Sequence, residues 1–150
     1  MKGVLTEWRK FLLAENSLGY EGILKIVPDI KVVSELETLQ AMLPEEAIRL
    51  SPHDLHVTLL HQSILKPFEE QLKKLTLPEP PPIRLNDTVF ERKSPGKKSW
   101  AVRLQNQDEM REYVKYIMEL LGSSNADPEP ERRFHVSLAN LTGNPQDSVR

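Results

Sequence analysis

Leu55-His56-Val57-Thr58-Leu59 alternates apolar and polar side chains over five positions, the spacing of a strand with one buried and one open face. On that spacing Leu55, Val57 and Leu59 point into a core, while His56 and Thr58 project side by side on the other surface. The second half of the chain repeats the pattern as Phe134-His135-Val136-Ser137-Leu138. A third triplet of the form His-x-Ser/Thr, His61-Gln62-Ser63, has a polar central residue. If the first strand continues, its parity also puts His61 on the face opposite His56, so His61 is expected to face a loop. His53 precedes the strand as a turn or surface residue. Two copies with matching apolar flanks, one in each half, carry more weight than a short triplet met once.

Outward from these stretches, the order of elements duplicates as well. Val4, Leu5, Trp8, Phe11 and Leu12 keep helical spacing, which predicts an amphipathic N-terminal helix within residues 1–19. Gly22 to Pro28 reads as a strand ended by proline, and Val32, Val33, Leu36, Leu39 and Met42 as a helix stopping before Pro44. A turn at Arg49 to Pro52 leads into the first histidine strand, and a helix follows from Lys66 to about Leu75 with Pro67 in its first turn. Pro78-Glu79-Pro80-Pro81-Pro82 is a stiff connector at the midpoint of the pseudo-repeat. Ile83 to Glu91 and Ser99 to Leu104 form a hairpin about Ser94-Pro95-Gly96. Asp108 caps a helix carrying Met110, Tyr113, Val114, Ile117, Leu120 and Leu121, with Gly122 as its stop. A polar loop from Ser123 to Glu131 then reaches the second histidine strand. A single domain over residues 1–150 is expected, with a first half at 20–77 and a second at 83–150.

Composition narrows the function. A formal net charge of −2 and a pI near 6.1 argue against a broad basic footprint for long nucleic acid, yet leave room for a small anionic ligand. There is no cysteine, hence no disulfide framework, thiol nucleophile or thiolate metal site. The N-terminal stretch lacks a signal-peptide apolar region and no apolar run approaches membrane-spanning length, so a soluble protein of the cytoplasm, without membrane partners, is expected.

Imidazole titrates near pH 6.5, so one histidine can begin neutral as a base while its partner begins protonated as an acid. That division suits phosphodiester transfer, in which an attacking oxygen loses a proton while a leaving oxygen gains one. Thr58 and Ser137, one strand step from His56 and His135, are placed to donate to the non-bridging phosphate oxygens. The scheme calls on no metal or other cofactor, and no acidic residue or third histidine is patterned beside the pair as a zinc site needs. Which histidine is acid and which is base is not fixed by motif order. Arg133 shares the parity of His135 and is the better phosphate contact of the Arg132-Arg133 pair. The densest basic run, Arg92 to Lys98, lies at the hairpin tip, where Lys98 is expected to contact substrate.

His56-Val57-Thr58 and His135-Val136-Ser137, separated by a hairpin and a helix, resemble the paired motifs of the two-histidine phosphoesterase superfamily, which includes RNA 2′,3′-cyclic and 2′,5′-oligoadenylate phosphodiesterases. The resemblance implies a bilobal α+β fold, two pseudo-symmetric lobes with antiparallel sheets lining a central cleft and helices outside. Arg132-Arg133-Phe134-His135-Val136-Ser137-Leu138-Ala139-Asn140 and the Thr142-Gly143-Asn144-Pro145 tail look more narrowly like the phage anti-CBASS proteins. That likeness implies metal-independent opening of the 3′,5′ linkages of cyclic di- or trinucleotide immune messengers. It also implies a base stacked between Tyr20 and Trp100, although Trp100 shares parity with Val102 and Leu104 and a core position is equally consistent with that pattern. RNA 2′,3′-cyclic or 2′,5′-linked substrates, and a non-catalytic sponge for cyclic nucleotides, stay open beside it, as do base preference and oligomeric state.

Overall fold

Strand alternation is realised on a single antiparallel sheet. The computed structural model describes residues 16–149, and the helix expected around Val4 to Leu12 lies outside them. The strands are β1 (Ser17–Tyr20), β2 (Leu24–Val27), β3 (Ile48–Arg49), β4 (Val57–Leu60), β5 (Leu85–Ser94), β6 (Lys97–Leu104) and β7 (His135–Asn140). Helices are α1 (Ile30–Gln40), α2 (Gln62–Leu65), α3 (Glu69–Lys74) and α4 (Gln107–Leu120). The sheet order is β1-β2-β4-β7-β6-β5, with β3 paired to the far end of β7. This order is a palindrome in which each half contributes hairpin, helix and histidine strand, and the two histidine strands meet at the centre, where Val57 pairs with Val136.

One face of the sheet carries the core. Leu24 and Ile26, Val57 and Leu59, Val102 and Leu104, and Val136 and Leu138 are buried in one cluster with Val32, Leu36 and Leu39 of α1 and Met110, Val114 and Ile117 of α4. Burying each such side chain contributes about 1.5–3 kcal/mol. The polar partners of the alternation, His56, Thr58, His135 and Ser137, stay half-buried on the opposite face.

Several boundaries differ from the sequence expectation for identifiable reasons. Ser17 to Tyr20 is a strand, so the first half begins before residue 20. Helix α1 starts at Ile30 because Asp29 caps it, its carboxylate accepting from the Val32 amide at 2.8 Å; Met42 falls past its end and is exposed. The stretch from Lys66 to Leu75 is not one helix: Pro67 supplies no amide hydrogen, and a 3-10 turn at Lys66–Phe68 separates α2 from α3. Asn106, not Asp108, precedes α4, and its side-chain amide is drawn instead to the Pro82 carbonyl and Glu109. Gly122 stops α4 with φ +80°, a conformation that disfavours any side chain.

Two glutamines fix the ends of β7. Gln40, almost fully buried, donates to the carbonyls of Leu50 and Leu138 at 3.0 and 2.9 Å. Gln107 donates to the carbonyls of Leu104 and Phe134 and accepts from the Phe134 amide at 2.7 Å. The residue before His135 is thereby held on both its backbone groups.

Candidate active site

Each motif histidine is oriented by the same local bond. His56 and His135 each face, through Nδ1, the carbonyl oxygen two residues earlier: Asp54 at 2.7 Å and Arg133 at 3.2 Å. A carbonyl only accepts, so Nδ1 carries the hydrogen in both rings and Nε2 is the nitrogen left for chemistry. Thr58 and Ser137 follow on the same face, and all four side chains line one open cleft of roughly 1140 Å³.

Strand pairing brings further residues to that face. In the β5–β6 hairpin Phe90 pairs with Ala101 and Arg92 with Ser99; across the next seam Ala101 pairs with Ser137 and Arg103 with His135. Paired residues share a face, so Phe90, Arg92 and Arg103 surround His135. The Phe90 ring stands edge-on to the imidazole with centroids 6.4 Å apart, the Arg103 guanidinium lies 4.5 Å from the Phe90 centroid, and Arg92 Nη1 donates to His135 Nε2 at 3.3 Å.

Arg133 lines the cleft as the parity argument expects. The other three expected substrate contacts do not. Trp100 is 2% exposed, sits on the face of Val102 and Leu104, and is covered by Lys98, whose Nζ is 5.1 Å from the ring. Strand alternation therefore makes it a packing residue. Lys98 shares that parity and is engaged by Glu46 at 2.6 Å and Glu91 at 3.7 Å, an attachment that raises its pKa. Tyr20 ends the edge strand β1, with β2 between it and β4, and is absent from the cleft lining.

His61 is also placed differently from expectation. Leu59 and Leu60 are both buried, so the alternation breaks at the end of β4 and the next side chain returns to the cleft. Its Nε2 accepts from Arg132 Nη1 at 2.5 Å, while Arg132 Nη2 donates to the Thr58 carbonyl at 3.2 Å. Arg132 so links the segment before His135 to the strand carrying Thr58. Among the described residues no group of three or more His, Asp and Glu side chains is disposed to hold a metal, and no helix is long and apolar enough to cross a membrane.

The electrostatics of the two histidines differ. Burial lowers both pKa values. For His135 the charges of Arg92, Arg132 and Arg103 add to burial and the pKa falls to about 4. For His56, Lys25 lowers the pKa further, and the Asp54 carbonyl bond with the carboxylates of Asp54 and Glu21 oppose the fall. Both rings are thus biased toward the neutral form, His135 the more strongly.

A linked stability effect follows. Between pH 6.5 and about 4 the unfolded chain binds a proton at His135 that the folded chain does not, so this contribution is complete above pH 6.5 and is lost as pH falls to about 4. Allowing for partial solvent contact, its size is on the order of 2 kcal/mol. Denaturant unfolding at pH 7.5, 5.5 and 4.5 is expected to show His135→Ala gaining on wild type as the pH drops. A constant difference between the two proteins would contradict this pKa.

Scans against protein-family models, curated proteins and solved structures found no match to this chain.

Proposed function

We propose that the protein is a metal-independent phosphodiesterase of the two-histidine type, its halves forming pseudo-symmetric lobes about the β4–β7 seam, and that it opens the 3′,5′ linkages of small cyclic oligonucleotide messengers in the cytoplasm, a phage counter-defence activity. The observation that carries the reading is the duplicated geometry: two imidazoles from neighbouring strands, each held by Nδ1 on a carbonyl two residues back, each with a hydroxyl beside it in one cleft. Cleft size supports a ligand larger than a mononucleotide, since sites for drug-sized molecules span about 300–1,000 Å³. The cleft lining sets Arg92, Arg103, Arg132 and Arg133 against Asp54, Glu129 and Glu131, and with Arg132 paired to Glu129 at 3.6 Å the positive charge concentrates at Arg92 and Arg103 beside His135.

In this mechanism His135 is the base and His56 the acid. The arginines beside His135 oppose an imidazolium there, whereas the carboxylates of Asp54 and Glu21 favour one at His56. The attacking hydroxyl gives its proton to His135 Nε2 as its oxygen bonds to phosphorus. The opposite phosphorus–oxygen bond breaks, and the leaving oxygen takes the proton from His56 Nε2. Thr58 and Ser137 donate to the non-bridging oxygens, whose charge grows during transfer.

The decisive experiment incubates the purified protein, with chelator, with cyclic di- and trinucleotides, a 2′,5′-linked dinucleotide and an RNA 2′,3′-cyclic phosphate, and separates the products. Opening of a cyclic oligonucleotide that needs both histidines is the expected result. Cleavage confined to the RNA ends or 2′,5′ links would replace the substrate, and tight retention of an intact ligand by wild type and both histidine variants would make the protein a sponge. A pH profile adds a second check. In the free enzyme the base requires pH above about 4 and the acid requires pH below a value itself under 6.5, so kcat/KM is expected to be bell-shaped with its maximum between them. A kcat/KM still rising at pH 8 would rule out this division of roles.

A further inference from the structure

We propose that Arg92 is a phosphate-binding catalytic residue that also caps His135: its guanidinium donates to Nε2, and an entering phosphate draws the guanidinium to itself and frees Nε2 to accept the nucleophile's proton. The inference rests on the phosphodiesterase reading and adds to it a residue that neither histidine motif contains.

Three observations carry it. Nδ1 of His135 is committed to the Arg133 carbonyl, so the nitrogen that Arg92 Nη1 meets at 3.3 Å is the one that the chemistry requires. A guanidinium cannot release its proton to imidazole at ordinary pH, so while the bond stands that nitrogen is acceptor to a donor and closed to a nucleophile. Among the described residues no carboxylate forms an ion pair with Arg92, and Arg103 beside it meets the Phe90 ring. The two guanidiniums come from adjacent strands and face the same cleft as Ser137, with no ion pair to either among the described residues, so both have donors to offer an anionic ligand. A phosphodiester is such a ligand, and two parallel N–H donors match two of its oxygens.

With Arg92 moved onto the phosphate, the remaining step balances as before. One phosphorus–oxygen bond forms as its proton passes to His135 Nε2, and one breaks as its oxygen takes the proton of His56. The anion that displaces Arg92 also brings negative charge next to His135, which makes that ring a stronger base when the substrate is present than when it is absent.

The test compares wild type with Arg92→Gln and Arg92→Lys, each checked for an unchanged melting temperature, using inorganic phosphate as probe. Proton–carbon NMR of the His135 ring is expected to show a saturable phosphate-dependent rise of its pKa in wild type. In Arg92→Gln the pKa of the phosphate-free protein should already be higher, and phosphate should bind at least about tenfold more weakly. Turnover of whichever phosphodiester wild type opens should fall by roughly 10²-fold in Arg92→Gln and recover in part in Arg92→Lys, which keeps the charge without the paired donors. Equal phosphate affinity and an unaltered His135 titration in Arg92→Gln would overturn the proposal. Should wild type open no phosphodiester at all, the phosphodiesterase reading falls, while the phosphate titration still decides the role of Arg92.

Discussion

Replacing His135 or His56 by alanine is expected to cut turnover by about 10²–10⁴-fold while leaving the fold intact. The two side chains lie outside the apolar cluster, half-buried on the open face of the sheet, and each makes one backbone hydrogen bond that a neighbouring water can replace. Their losses should not multiply. Acid and base serve one transfer, so the double variant should be little slower than the worse single one, with residual rate from the hydroxyls and arginines of the cleft. The measurement is product formation under single-turnover conditions, with circular dichroism and melting on the same preparations. If one variant keeps more than about a tenth of wild-type turnover, that histidine is not a proton-transfer group. His135→Ala carries the additional acid-pH stability signature described above, which His56→Ala should show to a smaller degree, because its neighbouring carboxylates oppose the lowering.

How far the sequence discloses this architecture depends on what each residue answers to. The central strands were legible because their alternation is a property of the strand itself, and Leu55, Val57, Leu59, Phe134, Val136 and Leu138 are all buried as that alternation demands. Strands β1 and β3 were not, since Ser17-Leu18-Gly19-Tyr20 and Ile48-Arg49 acquire strand geometry from the partners they pair with. The motif histidines and hydroxyls were likewise legible. Phe90 and Arg103 were not singled out and Arg92 entered only within the basic run at the hairpin tip, because Arg103 reaches His135 through one strand register and Phe90 and Arg92 through two. A signal for them existed: a hairpin turning at Pro95-Gly96 pairs Arg92 with Ser99 and Phe90 with Ala101, once the strands are extended to the turn. By the same register Lys98 and Trp100 lie on the face opposite Arg92, which for Trp100 is the core position that its parity had left open, and Tyr20 lies on the edge strand with β2 between it and the seam, a distance that position along the chain does not disclose. His61 was dismissed by parity, which holds only while the strand stays regular, and Leu59 and Leu60 are buried in succession.

Phe134→Ala is expected to do the reverse of the histidine changes, taking stability and sparing chemistry. The ring is 2% exposed in the main apolar cluster, and the Arg111 guanidinium lies 5.8 Å from its centroid. Truncating a buried phenylalanine costs about 3–5 kcal/mol through lost transfer free energy and the cavity left behind. Domains of ordinary size have only about 5–15 kcal/mol in total, so the loss is a large fraction of what holds the sheet together. Yet the backbone at this position is fixed independently of the ring. Gln107 binds both the amide and the carbonyl of Phe134, and Arg111 Nη2 donates to the Arg132 carbonyl at 2.5 Å, so molecules that remain folded should still present His135 to the cleft. Urea unfolding should therefore show a lower midpoint with little change in slope, and turnover per folded molecule well below that midpoint should stay within a few-fold of wild type. A stability loss under about 1 kcal/mol would contradict the burial of Phe134. A large loss of turnover in fully folded protein would mean that the ring, rather than Gln107 and Arg111, sets the position of His135.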